Sequence, residues 1–192
     1  MSLDASRAHH QPRVEARPAR PCVGIAARAT TTAEFRAAVD RDVPAVFRWV
    51  AEHGLRPAGA PVLRYLEVDE TVLPDDGPPP ATFESCVPLA ALPGGLAVPS
   101  TAAPAGPDGR VRAGELPTGR WVVALHRGGY AGLAALHRIV LGWAAEEGLV
   151  VARRPAPGGT AFAGCTEEFR IGPFEDPDPW RWETDVAYLL ED

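Results

Sequence analysis

One segment occurs twice. Residues 46–55, VFRWVAEHGL, align position for position with residues 140–149, VLGWAAEEGL. Each copy carries apolar residues at helical spacing and ends on Gly-Leu. A glycine directly after a periodic run closes a helix, because it enters the left-handed conformation without a Cβ penalty. A second echo sets Phe83-Glu84-Ser85 against Trp182-Glu183-Thr184. An internal repeat constrains a fold strongly, since each copy must form a unit that its neighbour completes. The chain is therefore read as two strand–helix–strand–strand units, over about 20–90 and 110–192.

The elements follow in order. Residues 1–19 are polar and aperiodic, and they predict a flexible N-terminal arm. CVGIAARAT at 22–30 fits a buried strand. Residues 31–41 suit a short helix. Asp42-Val43-Pro44 then predicts a new helix start, with Asp as N-cap and Pro in the first turn, running to Gly54. Residues 61–68 and 82–89 read as strands around a DDGPPP loop. Residues 91–109, rich in Pro, Gly and Ala, form the expected linker between halves. Beyond it come an edge strand at 110–116 and a strand at 120–127. A helix from 130 to 147 carries an apolar stripe of Leu133, Leu136, Val140 and Trp143, and strands follow at 160–171 and 180–190. The predicted fold class is α+β: duplicated β-α-β-β units, one antiparallel sheet, two main helices, and a central groove where ligands commonly sit.

Composition excludes several functions. With a net charge of -6, no basic footprint points to nucleic acid. No apolar run is long enough to span a membrane, and the N-terminus lacks the apolar core of a signal peptide. Cys22, Cys86 and Cys165 are few and widely spaced, which argues for free thiols in a reducing cytoplasm. The histidines at 9, 10, 53, 126 and 137 lack ligand spacing, so neither a metal nor another cofactor is expected. There is no nucleophile elbow, P-loop or dinucleotide fingerprint.

Chemistry concentrates on Cys165-Thr166-Glu167-Glu168-Phe169-Arg170-Ile171. Alternation puts Cys165, Glu167, Phe169 and Ile171 on one face of a strand, and Thr166, Glu168 and Arg170 on a wet one. A carboxylate on an apolar face is costly unless something pairs with it. Glu167 therefore either reaches water at an edge, is satisfied by a buried Arg or Tyr, or forms the anionic floor of a site. Aromatic residues crowd the same half, including Trp121, Tyr130, Phe169, Trp182 and Tyr188. Aromatic faces attract cations by about 0.5–2 kcal/mol each. Aromatic walls around one carboxylate suit an organic cation, with Trp182, Thr184, Val186 and Tyr188 alternating along the next strand as one wall.

At these residues the sequence resembles the GyrI-like domain, the effector-binding domain of AraC-type and BmrR-type multidrug-responsive regulators. The family's H-x-G-P-Y corresponds to His126-Arg127-Gly128-Gly129-Tyr130, and its W-A-x-x-x-G-L to residues 143–149. Its E-x-Y is Glu167-Glu168-Phe169 here, followed by Gly172-Pro173 in place of D-P. L-P-x-G appears as Leu116-Pro117-Thr118-Gly119, and the last strand's signature as Thr184-Asp185-Val186. Gly129 stands where the family has Pro, and Phe169 where it has Tyr. The resemblance implies a tandem SHS2-type fold over residues 20–192. It also implies a pocket in which Glu167 pairs with lipophilic cations; the candidate ligand-binding residues beside it are Tyr130, Phe169, Trp182, Trp121, Tyr65, Tyr188, His126 and Phe83. Relatives often carry an N-terminal helix-turn-helix. About 20 residues precede the first strand here, so a standalone binding protein is expected.

Three functions follow from the resemblance. The first is binding or sequestration of hydrophobic, often cationic, small molecules. The second is hydrolysis of cyclopropane-bearing electrophilic natural products, with Glu167, Tyr130 and Tyr65 as catalytic residues. The third is modulation of a protein partner, DNA gyrase.

Overall fold

The structure, a computed structural model, describes residues 11–72, 78–91 and 110–192. Among these residues, ten strands form one curled antiparallel sheet, and two helices lie against it. The strands are β1 (Arg13–Arg17), β2 (Arg20–Ala29), β3 (Val62–Val68), β4 (Ala81–Pro88), β5 (Arg112–Leu116), β6 (Gly119–Arg127), β7 (Arg153–Ala156), β8 (Gly159–Phe162), β9 (Cys165–Ile171) and β10 (Glu183–Leu189). The helices are α1 (Thr32–Glu52) and α2 (Leu133–Glu146). Among the described residues no helix is long and apolar enough to cross a membrane.

Strand order across the sheet is β1-β6-β10-β9-β3-β4-β2-β5. The first half contributes β3-β4-β2 and the second β9-β10-β6, so matching orders meet where β9 pairs with β3. Leu63 lies opposite Glu167 in that central register. α1 packs on β2 and β4, and α2 on β6 and β10. The two central strands thus run between the helices, as the floor of a groove. The largest core cluster fills this side, with Leu63, Tyr65, Phe83, Val122, Leu136, Val140, Val186 and Tyr188 all buried.

The edges depart from the sequence reading. Residues 13–17 are not part of a flexible arm: they form β1, which pairs with β6 from Arg13 opposite Val123 to Arg17 opposite Gly119. Arg13, Glu15 and Arg17 gave no apolar run to read, because β1 is an edge strand held by its backbone and by a Glu15–Arg17 pair at 2.7 Å. β1 leads into β2 yet pairs with β6, while β5 leads into β6 yet pairs with β2. Each lead-in strand therefore crosses to the other half, through Pro18-Ala19 and Pro117-Thr118. The expected linker lies almost wholly outside the described residues.

Helix and strand boundaries also differ. α1 is a single helix that passes through Asp42-Val43-Pro44. Its true start is Thr31, whose hydroxyl accepts from Glu34 N at 3.2 Å, while Glu34 reaches back to Thr30 N at 2.8 Å. That is a capping box, which satisfies donors at the first turn. Pro44 removes one helical hydrogen bond, but the buried stripe of Ala38, Val46, Trp49 and Val50 keeps the helix continuous. Asp42 is buried and paired with Arg41 at 2.7 Å and Arg110 at 2.6 Å, so it is an ion-pair anchor rather than a cap. The expected 160–171 strand is broken by a bend at Ala163-Gly164 into β8 and β9. The last strand starts at Glu183, after a short 3-10 turn over Pro179–Arg181. β7, with Arg153, Arg154 and Pro155, carries no apolar pattern and is recruited by pairing with β8.

Candidate functional site

Glu167 sits on β9, on the groove side of the sheet, and is only 4% exposed. It is neither at a wet edge nor paired with arginine; of the expected partners, a buried tyrosine holds it. Its Oε1 accepts from the Tyr65 hydroxyl at 3.1 Å and from His137 Nε2 at 2.8 Å. His137 Nδ1 lies 2.7 Å from the Tyr188 hydroxyl. A carboxylate only accepts, so Nε2 carries the proton; in the neutral ring Nδ1 accepts from Tyr188. The four side chains come from β3, β9, β10 and α2. The order Tyr188, His137, Glu167, Tyr65 is a continuous chain of hydrogen bonds across the floor.

Burial keeps these hydroxyls protonated. It pushes the Tyr65 hydroxyl well above its ordinary range, and the Glu167 charge adds to the shift. Burial does the same to Tyr188, with Cys165 and Glu167 adding. The Cys165 thiol, buried beside them, is also pushed up, so it is a packing residue and not a thiolate. Partly buried Phe35, Val39, Leu141 and Phe169 pack over the floor.

A second cluster adjoins it. Tyr130 lies in a 3-10 turn (Tyr130–Gly132) that opens α2, and its ring meets Phe169 at 5.4 Å and Trp182 at 4.7 Å between centroids. Burial, then the charges of Glu167, Glu175 and Asp40, push its hydroxyl up to about 12. Trp182 Nε1 donates to Asp176 O at 2.8 Å, tying the cluster to the loop between β9 and β10. That loop also carries Phe174 and Trp180, 81% and 85% exposed.

Three expected residues lie elsewhere. Trp121 is buried with Val123 and Ala187 against the opposite face of the sheet. There it lines a cavity of about 10 Å³, with Arg17, Arg20, Leu116 and Thr166. Its position on β6 alternates with Val122, which faces the groove, so period two decides its side. Phe83 is fully buried beneath Phe35, 4.5 Å between ring centroids, and is core. His126 braces the turn that aims Tyr130: its Nε2 is 2.9 Å from Gly129 O, and its ring abuts Gly132.

The face expected to be wet is instead an ion-pair layer. Arg20 holds Glu168 through two bonds of 2.9 and 2.8 Å. Asp185 is held by Arg170 at 2.5 Å and Arg17 at 3.3 Å. Glu84 lies 3.9 Å from Arg64. The carboxylates of this face thus each meet a permanent cation, whereas Glu167 meets two tyrosines and a histidine. His137 was the residue sequence reasoning passed over. It follows Leu133 by one helical turn and precedes Val140 by another, so a polar residue on the buried stripe was the available signal. Among the described residues no group of three or more His, Cys, Asp or Glu side chains has the arrangement of a metal site.

No protein-family model matches this sequence, and no curated protein matches it. Solved structures do. The C-terminal domain of EcmrR superposes with a TM-score of 0.71 at 13% identity, over 95% of this chain and 98% of that one. A hydrolase from Listeria innocua gives 0.54 at 12% identity, over 94% and 91%. SAV2435 bound to tetraphenylphosphonium gives 0.52 at 10% identity, over 94% of each chain. At such identities the likeness is one of fold: a curled antiparallel sheet with two helices, consistent with the GyrI-like fold.

Proposed function

We propose that the protein binds hydrophobic organic cations in the groove between α1 and α2, with Glu167 as the anionic floor. One observation carries this reading: Glu167 is buried, yet its partners Tyr65 and His137 supply no permanent positive charge. A buried charge held only by hydrogen bonds from neutral groups is incompletely compensated, and a ligand cation that pairs with it adds the missing Coulombic term. The Tyr130, Phe169 and Trp182 cluster beside the carboxylate offers ring faces to the same cation. Partly exposed Phe35, Val39 and Leu141 supply apolar area without demanding one ligand shape. The bound phosphonium of SAV2435, on the same fold, supports the choice of ligand class. Sequestration of such compounds in the cytoplasm is the role this implies. The test is calorimetric titration with tetraphenylphosphonium. Glu167→Gln should weaken binding about tenfold or more, roughly 1.4 kcal/mol. An unchanged affinity refutes the pairing.

A hydrolytic reading rests on the hydrogen-bond chain itself, since a carboxylate braced by two donors can orient a water. Incubation with a cyclopropane-containing alkylator and mass analysis decides it; intact substrate after long incubation removes it.

A further inference from the structure

Resting on that reading, we propose that His137 is the specificity-determining residue of the site: its imidazole is an internal cation that competes with the ligand for Glu167. The geometry is direct. His137 Nε2 is 2.8 Å from Glu167 Oε1, the distance of a charge-assisted hydrogen bond, and Tyr188 holds the far side of the ring at 2.7 Å. The ring cannot swing away easily, because Tyr65 and Tyr188 meet it edge-on at 5.8 and 5.6 Å.

The titratable and charged groups around the ring are few. β9 presents Glu167 and Cys165, β10 presents Tyr188, and β3 presents Tyr65, while Tyr130 lies at the head of the ring's own helix and Asp40 on α1 beyond it; Glu70, just past β3, acts on Tyr188 and Cys165 from farther off and is paired with Arg153 at 3.2 Å. The tyrosines and the thiol are neutral. Arg138 is the next residue along α2, and Arg170, Arg20 and Arg17 are all engaged with Glu168 or Asp185 on the opposite face. Protonation of His137 is therefore the one change within this cluster that puts a positive charge against Glu167. Imidazole is the side chain that ordinarily titrates between pH 5 and 8.

The exchange balances. With His137 protonated, the pair is imidazolium and carboxylate, net zero. An incoming cation replaces one positive charge with another, and one proton leaves from the imidazole Nδ1 to solvent as Tyr188 takes up that position as donor. Binding and proton release are then linked, so affinity for a permanent cation falls by up to about tenfold per pH unit where His137 is protonated. The site consequently prefers a class of ligand: quaternary ammonium, phosphonium, or strongly basic amines. These stay charged at the pH where His137 is neutral. Weak bases such as anilines or pyridines are neutral there, and once acid enough to be charged they meet a site already filled.

The experiment is titration of the full chain with tetraphenylphosphonium at pH 8, 7, 6 and 5, in buffers of differing ionisation enthalpy, to count protons released. The expected result is weaker binding toward pH 5, with release approaching one proton per ligand. His137→Gln keeps a donor for Glu167 and an acceptor for Tyr188 but does not titrate, and it should reduce the change between pH 7 and 5.5 to under about twofold. Binding that is tight and pH-independent, without proton release, overturns the role of His137 and leaves the cation site standing. No binding at any pH overturns both. The His137 ring resonances, followed by NMR through the same titration of the unmutated protein, tell a proton lost from the imidazole from one lost by Glu167; a ring unchanged while a proton is released overturns the role of His137 even where the variant does not fold.

Discussion

Replacing Gly132 with Ala tests how the groove wall is built. Gly132 joins the 3-10 turn to α2 with φ -81 and ψ -13, a conformation open to any residue, so backbone strain is not at stake. Space is. A Cβ there would lie 2.4 Å from His126 Cε1 and 3.0 Å from its Nε2. Carbon atoms normally approach to about 3.5–4.0 Å, an overlap of over 1 Å. His126 cannot retreat, because it is buried and its Nε2 is held 2.9 Å from Gly129 O. The turn must lift from the sheet, carrying Tyr130 with it. Overpacking of this kind costs about 1–3 kcal/mol, and at an N-cap position Ala brings no helix-propensity gain to offset it. The net loss is about 1–3 kcal/mol, a fall in Tm of roughly 2–12 °C for a chain of this length. Gly142→Ala on the same helix is the control. Nothing lies within 4 Å of its Cβ, so it should gain about 0.5–1 kcal/mol. Urea and thermal unfolding followed by circular dichroism measure both. The reasoning is refuted if the two variants shift in the same direction, or if His126→Ala does not relieve the cost of Gly132→Ala in a double-mutant cycle.

Two further outcomes are expected. Burial lifts the Glu84 carboxyl above its ordinary value, only partly opposed by Arg64, so the folded state holds that proton more tightly than the unfolded chain. The group's contribution is therefore fully present below the unfolded carboxylate range near pH 4.5 and is lost as pH rises through the higher folded value. Glu84→Gln should flatten stability across that window and raise it relative to the parent at pH 7, measured by urea midpoints at pH 4 and 7. Phe83→Ala removes a fully buried ring under Phe35 and should cost about 3–5 kcal/mol in urea unfolding, whereas a pocket-lining Phe83 would lose ligand affinity with little change in stability.

The sequence made the interior of the fold legible and its edges obscure. β2, β3, β4 and β6 carry apolar runs that must be buried, and both helices close on Gly-Leu, so pattern and structure agree there. β1 and β7 are held by backbone pairing at polar residues, and no side-chain periodicity records that. Asp42-Val43-Pro44 imitates a helix start because Asp and Pro favour first turns, but the stripe on either side of it is continuous. Threonine at 31 with Glu34 was the stronger signal. In the site, Glu167 announced itself by breaking an apolar alternation. His137 did not, because a histidine reads as neither apolar nor charged, and its partners Glu167 and Tyr188 lie on other elements. Trp121 was misplaced by treating aromatic content as a wall, when alternation along β6 sends it to the far side.

The exchanged lead-in strands bear on when this fold can be completed. β1 leaves the ribosome well before its partner β6, which begins at Gly119, and the edge of β2 stays bare until β5 is made. The centre has the same difficulty, since β3 pairs with β9 from Cys165 onward in sequence. Contacts so distant along the chain carry the loop-closure cost before they return any stabilisation, which slows folding. A nascent first half therefore presents both a bare outer edge on β2 and a bare inner edge on β3. Each of those edges is a template for another copy of the same half. Slowing translation between residues 90 and 119 should accordingly raise the share of misassembled dimer, read by size-exclusion chromatography of the freshly made protein.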